Sequence, residues 1–257
     1  MAHSERSPWP VPRRRKRAAD REREGGRGRR GLSQDAIVGA ALEIVDADGL
    51  DALSMRRVAQ RLGTGPASLY VHLGGKEELL ALVLDRVYGE VPLPEAPDPA
   101  DWRAQAEGLL TAERDALAAH GDLARAARTG AALTLPNALR GTEALLAILR
   151  AGGLSGQDAA HAVDMLGEYV LSAALRTDPR GRPGGVYAER LLDRYRALRA
   201  LPAAEYPNLS AVAEPLLSTA GDERFRFGLD VVLAGLAARA RRPDGPDGQD
   251  RRSGPAD

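Results

Sequence analysis

LSMRRVAQRLGTGPASLYVHLGGK, residues Leu53–Lys76, is the stretch on which the fold of this chain turns. Val58, Ala59 and Leu62 put an apolar face on a short helix, and the small Ala59 lets a second helix cross it closely. Gly63 can take the left-handed conformation that a tight turn needs. Leu69 and Leu73, four residues apart, anchor the next helix and leave Pro66, Ala67, Ser68, Tyr70, Val71 and His72 with faces open to an outside contact. Two short helices at a steep angle, joined by a few residues that include Gly, make a helix-turn-helix. Its second helix enters the DNA major groove by the N-terminal end.

Outward from this stretch the chain keeps a helical period. Upstream, Ser33 is an N-cap for a helix carrying Ile37, Ala40, Ala41, Ile44 and Val45, and Gly49 closes it. A second helix opens at Ser54 and ends at Gly63, and a third runs from Pro66 to His72. Gly74 and Gly75 break the chain before a fourth helix over Lys76–Glu90. Pro92, Pro94, Pro97 and Pro99 then form a linker or a sharp corner. Helices are predicted beyond it over Asp101–Ala119, Asp122–Arg128, Pro136–Ala151, Gln157–Arg176, Tyr187–Leu201, Leu209–Leu217 and Asp222–Arg241. DPRGRPGG at Asp178–Gly185 reads as an exposed, mobile loop. No strand alternation is visible. The expected fold is all-α, with an N-terminal three-helix helix-turn-helix domain (32–91) and a larger helical domain (98–241). A flexible Arg-rich arm (1–31) precedes them and a disordered tail (242–257) follows.

Net charge is zero, but its distribution is uneven. Residues 1–31 carry eleven Lys or Arg against four Asp or Glu, whereas residues 32–90 carry five against nine. A basic head on a mildly acidic body points to an anionic partner. Arg27, Arg29 and Arg30, just upstream of the first helix, are placed to enter a DNA minor groove. Asp20, Glu22 and Glu24, interleaved with basic residues, argue instead for a local helical patch there. With no cysteine, neither a disulfide framework nor a thiolate metal site is possible. No apolar run approaches a bilayer span and no apolar stretch follows the basic N-terminus, so a cytoplasmic protein without membrane contact is expected. The four histidines are scattered, and no nucleophile elbow, phosphate loop or zinc-protease motif occurs. The chain therefore reads as a non-enzyme without metal or cofactor.

From Gly31 to about Val91 the chain resembles the N-terminal domain of the tetracycline-repressor (TetR) family of transcriptional regulators. The family pattern is a first helix ending at Gly, then (S/T)-x-R-x-(V/L)-A-x-x-L-G and (S/T)-L-Y-x-H-(V/L)-x-x-K. It is matched by Gly49, Ser54, Arg56, Val58, Ala59, Leu62, Gly63, Ser68, Leu69, Tyr70, His72, Leu73 and Lys76. The resemblance implies DNA contact through Ser54 and Arg56 on the second helix and through the segment from Pro66 to Lys76. Arg56, Tyr70, His72 and Lys76 suit phosphates, while Pro66, Ala67, Ser68 and Val71 fall where base edges are read. No Gln or Arg sits in that helix for bidentate base readout, so operator selection relies on shape, water or the arm.

The C-terminal half is similar to the ligand-binding domain of the tetracycline-repressor subgroup over Leu109–Gly130, Pro136–Arg176 and Asp222–Leu236. That resemblance implies a homodimer with a small-molecule cavity in each helical body. Trp102, Arg125, Asn137, His161, Met165 and Tyr169 are candidate cavity residues. Val163, Leu166 and Val170, with Phe225, Leu229, Val232, Leu233 and Leu236, form stripes that face either their own core or, as the family's usual arrangement implies, a four-helix dimer interface. Ala127 and Arg176 stand where the tetracycline repressor places metal-binding His and Glu, so a magnesium–tetracycline complex does not fit. An antibiotic or other secondary metabolite with apolar bulk fits better. The expected function is a ligand-responsive regulator, a repressor released from double-stranded operator DNA. The alternative is a DNA-binding or metabolite-sensing module without a dedicated operator.

Overall fold

The computed structural model describes residues 32–120, 123–130, 132–176, 193, 195–217 and 221–240, and contains helices and turns but no strand among them. The basic arm, the loop 178–185, the tail 242–257 and part of the helix expected at 187–201 lie outside the described residues.

Helix α1 (Gln34–Asp48) starts where the Ser33 hydroxyl accepts the Ala36 amide at 3.2 Å. It stops at Gly49, whose φ of 86° suits a residue without Cβ and whose amide returns to the Val45 carbonyl at 2.9 Å. Its apolar face, including Ile37, Ala41, Ile44 and Val45, is buried. α2 (Met55–Arg61) is capped by Ser54, and α3 (Pro66–Leu69) begins with proline at its first position, where the missing amide costs nothing. α4 (Lys76–Tyr88) packs against α1, and its Leu79, Val83, Leu84 and Val87 are buried.

Beyond the prolines, α5 (Trp102–Ala119), α7 (Pro136–Ala151) and α8 (Gly156–Ala174) pack on one another, with α6 (Leu123–Ala127) set between α5 and α8. Leu110, Leu117, Ile148, Leu149, Leu166 and Val170 are fully enclosed at their centre. Burial of each such side chain contributes about 1.5–3 kcal/mol. Two short helices, α9 (Pro207–Ala211) and α10 (Ala213–Leu217), precede α11 (Gly221–Ala240), which lies on α5 and α8. Glycines allow two close approaches. Trp102 covers Gly152 so closely that a Cβ there would lie 2.5 Å from the indole, and Tyr169 passes over Gly228.

Of the boundaries that differ from expectation, two have a clear physical cause. The third helix ends at Leu69 rather than His72, because the amide of His72 bonds back only three residues, to Leu69. The helix expected over 209–217 is two pieces. Pro215 has no amide to give the Ala211 carbonyl and its ring crowds that carbonyl, so the ladder breaks between them.

Candidate nucleic-acid interface and the cavity behind it

The turn Leu62–Gly65 sets α3 against α2. Gly63 takes a φ of 64°, and the Thr64 amide returns to the Ala59 carbonyl at 2.9 Å. Leu69 and Leu73 are buried and hold the α3 segment to the core. The other side of that segment faces solvent. Tyr70 is 56% and Val71 81% exposed, Pro66, Ala67 and His72 are exposed, and Ser68 is half-buried. Tyr70 and Val71 thus leave an aromatic and an aliphatic surface open side by side.

The charges of α2 are divided. Arg57 pairs with Asp48 at 2.5 Å and Arg61 with Glu43 at 2.7 Å, so both are engaged with α1. Arg56 is exposed and makes no ion pair among the described residues. Lys76 is the first residue of α4, where the helix dipole disfavours a cation, so helix stability does not account for it. Ser54 has a structural duty, since its hydroxyl accepts the Arg57 amide at 3.3 Å as the cap of α2. Replacing Arg56 by Ala is expected to weaken operator binding about tenfold and to lower the slope of log affinity against log salt by about one. The melting temperature should not move. Filter binding at several salt concentrations reads both, and an unchanged slope would show that Arg56 touches no phosphate.

A cavity of about 400 Å³ opens among α4, α5, α7, α8 and the segment after α6, a volume suited to a drug-sized ligand. Leu110, Leu139, Leu145 and Leu171 give it apolar walls, and Tyr88, Glu113, Arg128, Thr142, Asp164 and Glu168 supply its polar groups. Burial raises the Glu113 carboxyl from 4.5 to about 7. Although it lines an open cavity, that carboxyl is packed around by protein. Burial and the nearby Glu113 charge both raise the Tyr88 phenol, which stays neutral.

α4 is tied to the helices that line this cavity. Asp85 on α4 is buried, and its Oδ1 accepts the amides of Asn137 at 2.8 Å and Ala138 at 3.1 Å. The Asn137 side chain donates in turn to the Asp85 carbonyl at 2.8 Å. α7 has Leu135 at its N-cap and no side-chain cap of its own, so Asp85 acts as that cap from another helix. His120, at the end of α5, bridges Asp46 of α1 at 2.9 Å and Glu90 after α4 at 3.1 Å, and Arg125 of α6 pairs with Asp51 at 2.8 Å.

Burial pulls the His120 pKa down, but the hydrogen bonds and charges of Asp46 and Glu90 outweigh it and raise it above 6.5. This bridge therefore stabilises fully below 6.5 and fades as pH rises through the raised folded-state value. Replacing His120 by Gln should flatten the fall in melting temperature across that window. A scan of melting temperature against pH for both proteins checks the sign.

Residues 37–83 match the bacterial regulatory proteins of the tetR family, and residues 93–240 match the tetracyclin repressor-like C-terminal domain. The chain belongs to the TetR family. The HTH-type transcriptional repressor DrrR1 of Streptomyces coeruleorubidus is 35% identical over 80% of this chain and 77% of its own length. The class A tetracycline repressor of Escherichia coli is 29% identical over 84% of this chain and 96% of its own. Among solved structures, ActR of Streptomyces coelicolor in complex with actinorhodin is 43% identical with a TM-score of 0.74, over 82% of this chain and 99% of that one. As a TetR-family member, the chain is a DNA-binding transcriptional regulator.

Within this TetR-type body the expected ligand contacts need correction, because none of the six lines the cavity. Trp102 is packed on Gly152, Arg125 pairs with Asp51, and Asn137 is engaged with Asp85. His161 and Met165 are exposed on α8, and Tyr169 stacks on Phe225 with ring centroids 5.4 Å apart. Each is satisfied by packing, pairing or solvent elsewhere. The residues that do line the cavity were missed, although Glu113 left a signal: it falls on the buried α5 stripe of Ala106, Leu109, Leu110 and Leu117.

The interface stripes need a similar correction. Leu166, Val170, Phe225, Leu229, Leu233 and Leu236 are buried within the single chain and form its own core. Val163 lines the cavity and Val232 is half-buried. The apolar residues left exposed here are Met165 on α8, Leu175 at its C-terminal cap, and Phe227 and Val231 on α11. Ala127 lines the cavity where the tetracycline repressor was expected to offer an imidazole. Among the described residues no cluster of three His, Asp or Glu forms that could hold a metal. No described helix is long and apolar enough to cross a membrane.

Proposed function

We propose that the chain is a repressor, not an enzyme, that holds a double-stranded operator in the cytoplasm and is released when a small organic effector fills the cavity. Residues 32–91 act as the DNA-binding head and residues 98–241 as the effector and dimerisation body. Pro66, Ala67, Ser68 and Val71 read base edges, while Arg56, Tyr70, His72 and Lys76 hold phosphates. Ser54 supports them as a cap, and Arg27, Arg29 and Arg30 reach from the arm. Two copies pair through α8 and α11, burying Met165, Leu175, Phe227 and Val231 and setting two heads against two half-sites. A secondary metabolite is the effector class that suits the apolar walls, and the similar ActR is solved in complex with actinorhodin.

One observation carries this reading: Tyr88, the last residue of the helix that anchors the head, is also part of the cavity wall. A ligand against Tyr88 acts on α4 directly, and through the Asp85 clamp it acts on α7 as well. It shifts the operator equilibrium only by its differential affinity for the two states, and a near-complete switch needs about 5.5 kcal/mol. The test is a gel shift of the full chain on its own upstream intergenic DNA, with unrelated competitor DNA at two salt concentrations. Retardation that survives competitor is the expected result. Binding that is salt-sensitive and blind to sequence would replace the regulator reading with a nonspecific DNA binder.

A further inference from the structure

The polar groups of the cavity are unbalanced. Among the described residues that line it, Glu113, Asp164 and Glu168 bring three carboxyls against the single guanidinium of Arg128, and the remaining walls are largely apolar. Asp164, Glu168 and Arg128 are exposed, which places them at the mouth, while Glu113 sits deeper beside the neutral phenol of Tyr88. The Glu113 carboxyl makes no hydrogen bond or ion pair among the described residues. Nothing among the described residues compensates it, and an ionised carboxyl left alone in such a site is costly.

We propose that the cavity selects an organic cation, a protonated amine carried on an apolar body, with its ammonium seated between Glu113 and Tyr88. This rests on the cavity being the effector site. An ammonium supplies the charge partner that Glu113 lacks, and the phenol oxygen of Tyr88 accepts a second hydrogen bond from it. The apolar body then lies along Leu110, Leu145 and Leu171, and the carboxylates at the mouth favour entry of a cation. An anion would meet three carboxyls, and a neutral guest would leave Glu113 unpaired.

Ionisation of Glu113 follows from its surroundings: Tyr88 from α4, Thr142 from α7, Asp164 and Glu168 from α8, and Arg128 after α6. Its value near 7 means that the folded protein favours the protonated form as pH falls, whereas the cation complex requires the ionised one. Affinity for an ammonium should therefore rise from pH 6 to pH 8.

Three fluorescent probes of one shape test this without DNA present: 9-(aminomethyl)anthracene, 9-anthracenemethanol and 9-anthracenecarboxylate. The ammonium is expected to bind the full-length protein at least about tenfold more tightly than the alcohol, and the carboxylate more weakly still. Glu113→Gln should bring ammonium and alcohol to within about twofold and remove the pH dependence. It should fold at least as well at pH 8, because a costly buried charge is gone. Asp164→Asn with Glu168→Gln, changed only at the exposed mouth, should reduce the preference in part.

Equal binding of all three probes overturns the cation assignment and keeps the cavity. No binding of any probe overturns both the assignment and the cavity as effector site. A carboxylate preference, or an ammonium preference untouched by Glu113→Gln, overturns the assignment. Operator retardation of the same preparation shows separately whether the regulator reading stands.

Discussion

Leu69→Ala is expected to abolish specific operator retardation while the C-terminal helices stay folded. Leu69 is fully buried, and truncating such a leucine costs about 2–5 kcal/mol. The cost falls on an element with little stability of its own. α3 is four residues long, well below the length at which a helix persists alone, so its position is set by Leu69 and Leu73 pressing into the core. Without Leu69 the side chains of Pro66, Ala67 and Val71 lose their common orientation. Circular dichroism should show the helical content nearly kept, and a gel shift should show the specific band gone. Leu69→Met, which keeps the volume, should retain most of the binding. Operator affinity within threefold of wild type for Leu69→Ala would show that α3 is held by something other than this anchor.

Asp85→Ala should lower global stability by about 2–4 kcal/mol, a large effect for one surface-sized side chain. The carboxylate accepts two main-chain amides at the start of α7, and Ala138 is itself buried, so water cannot take over both bonds. Hydrogen exchange of the variant should accelerate at residues 137–139, with α1 and α2 still protected. Urea unfolding gives the magnitude. Asp85→Asn has one side-chain carbonyl oxygen for these donors and should recover part of the loss. Unchanged exchange at the start of α7 would mean that the clamp carries no load and that α4 reaches the cavity through Tyr88 alone.

The N-terminal architecture was legible because its signals are local. The cap at Ser33, the stop at Gly49, the turn at Gly63 and the anchors Leu69 and Leu73 each act within a few residues, and all occur as expected. The open faces of Pro66, Ala67, Tyr70, Val71 and His72 followed from the same short-range spacing. The cavity was not legible. Its wall joins Tyr88, Glu113, Arg128, Thr142 and Asp164 from five separate segments, and no periodicity within one helix specifies that convergence. Trp102 and Tyr169 were conspicuous by chemistry, yet glycines at 152 and 228 give them places in the packing. On α11, Leu229 is buried and Phe227 is open, so the helix is apolar on two faces. Period alone does not say which of the two turns inward. Asp85 finds its partner 52 residues away, where no local pattern could announce it.

The division of duties on α2 and α3 bears on how such a protein diverges. Pro66, Ala67 and Val71 are exposed and Arg57 and Arg61 hold the structure from another side, so the residues facing outward contribute little to folding. Substitutions at open positions of this kind usually change stability by less than about 0.5 kcal/mol. A duplicated copy of this gene could therefore wander from one operator to another without passing through an unfolded intermediate. The cavity has no such freedom, since Leu110 and Leu145 both line it and lie among the buried core residues. Drift toward new DNA sequences should accordingly outpace drift toward new ligands.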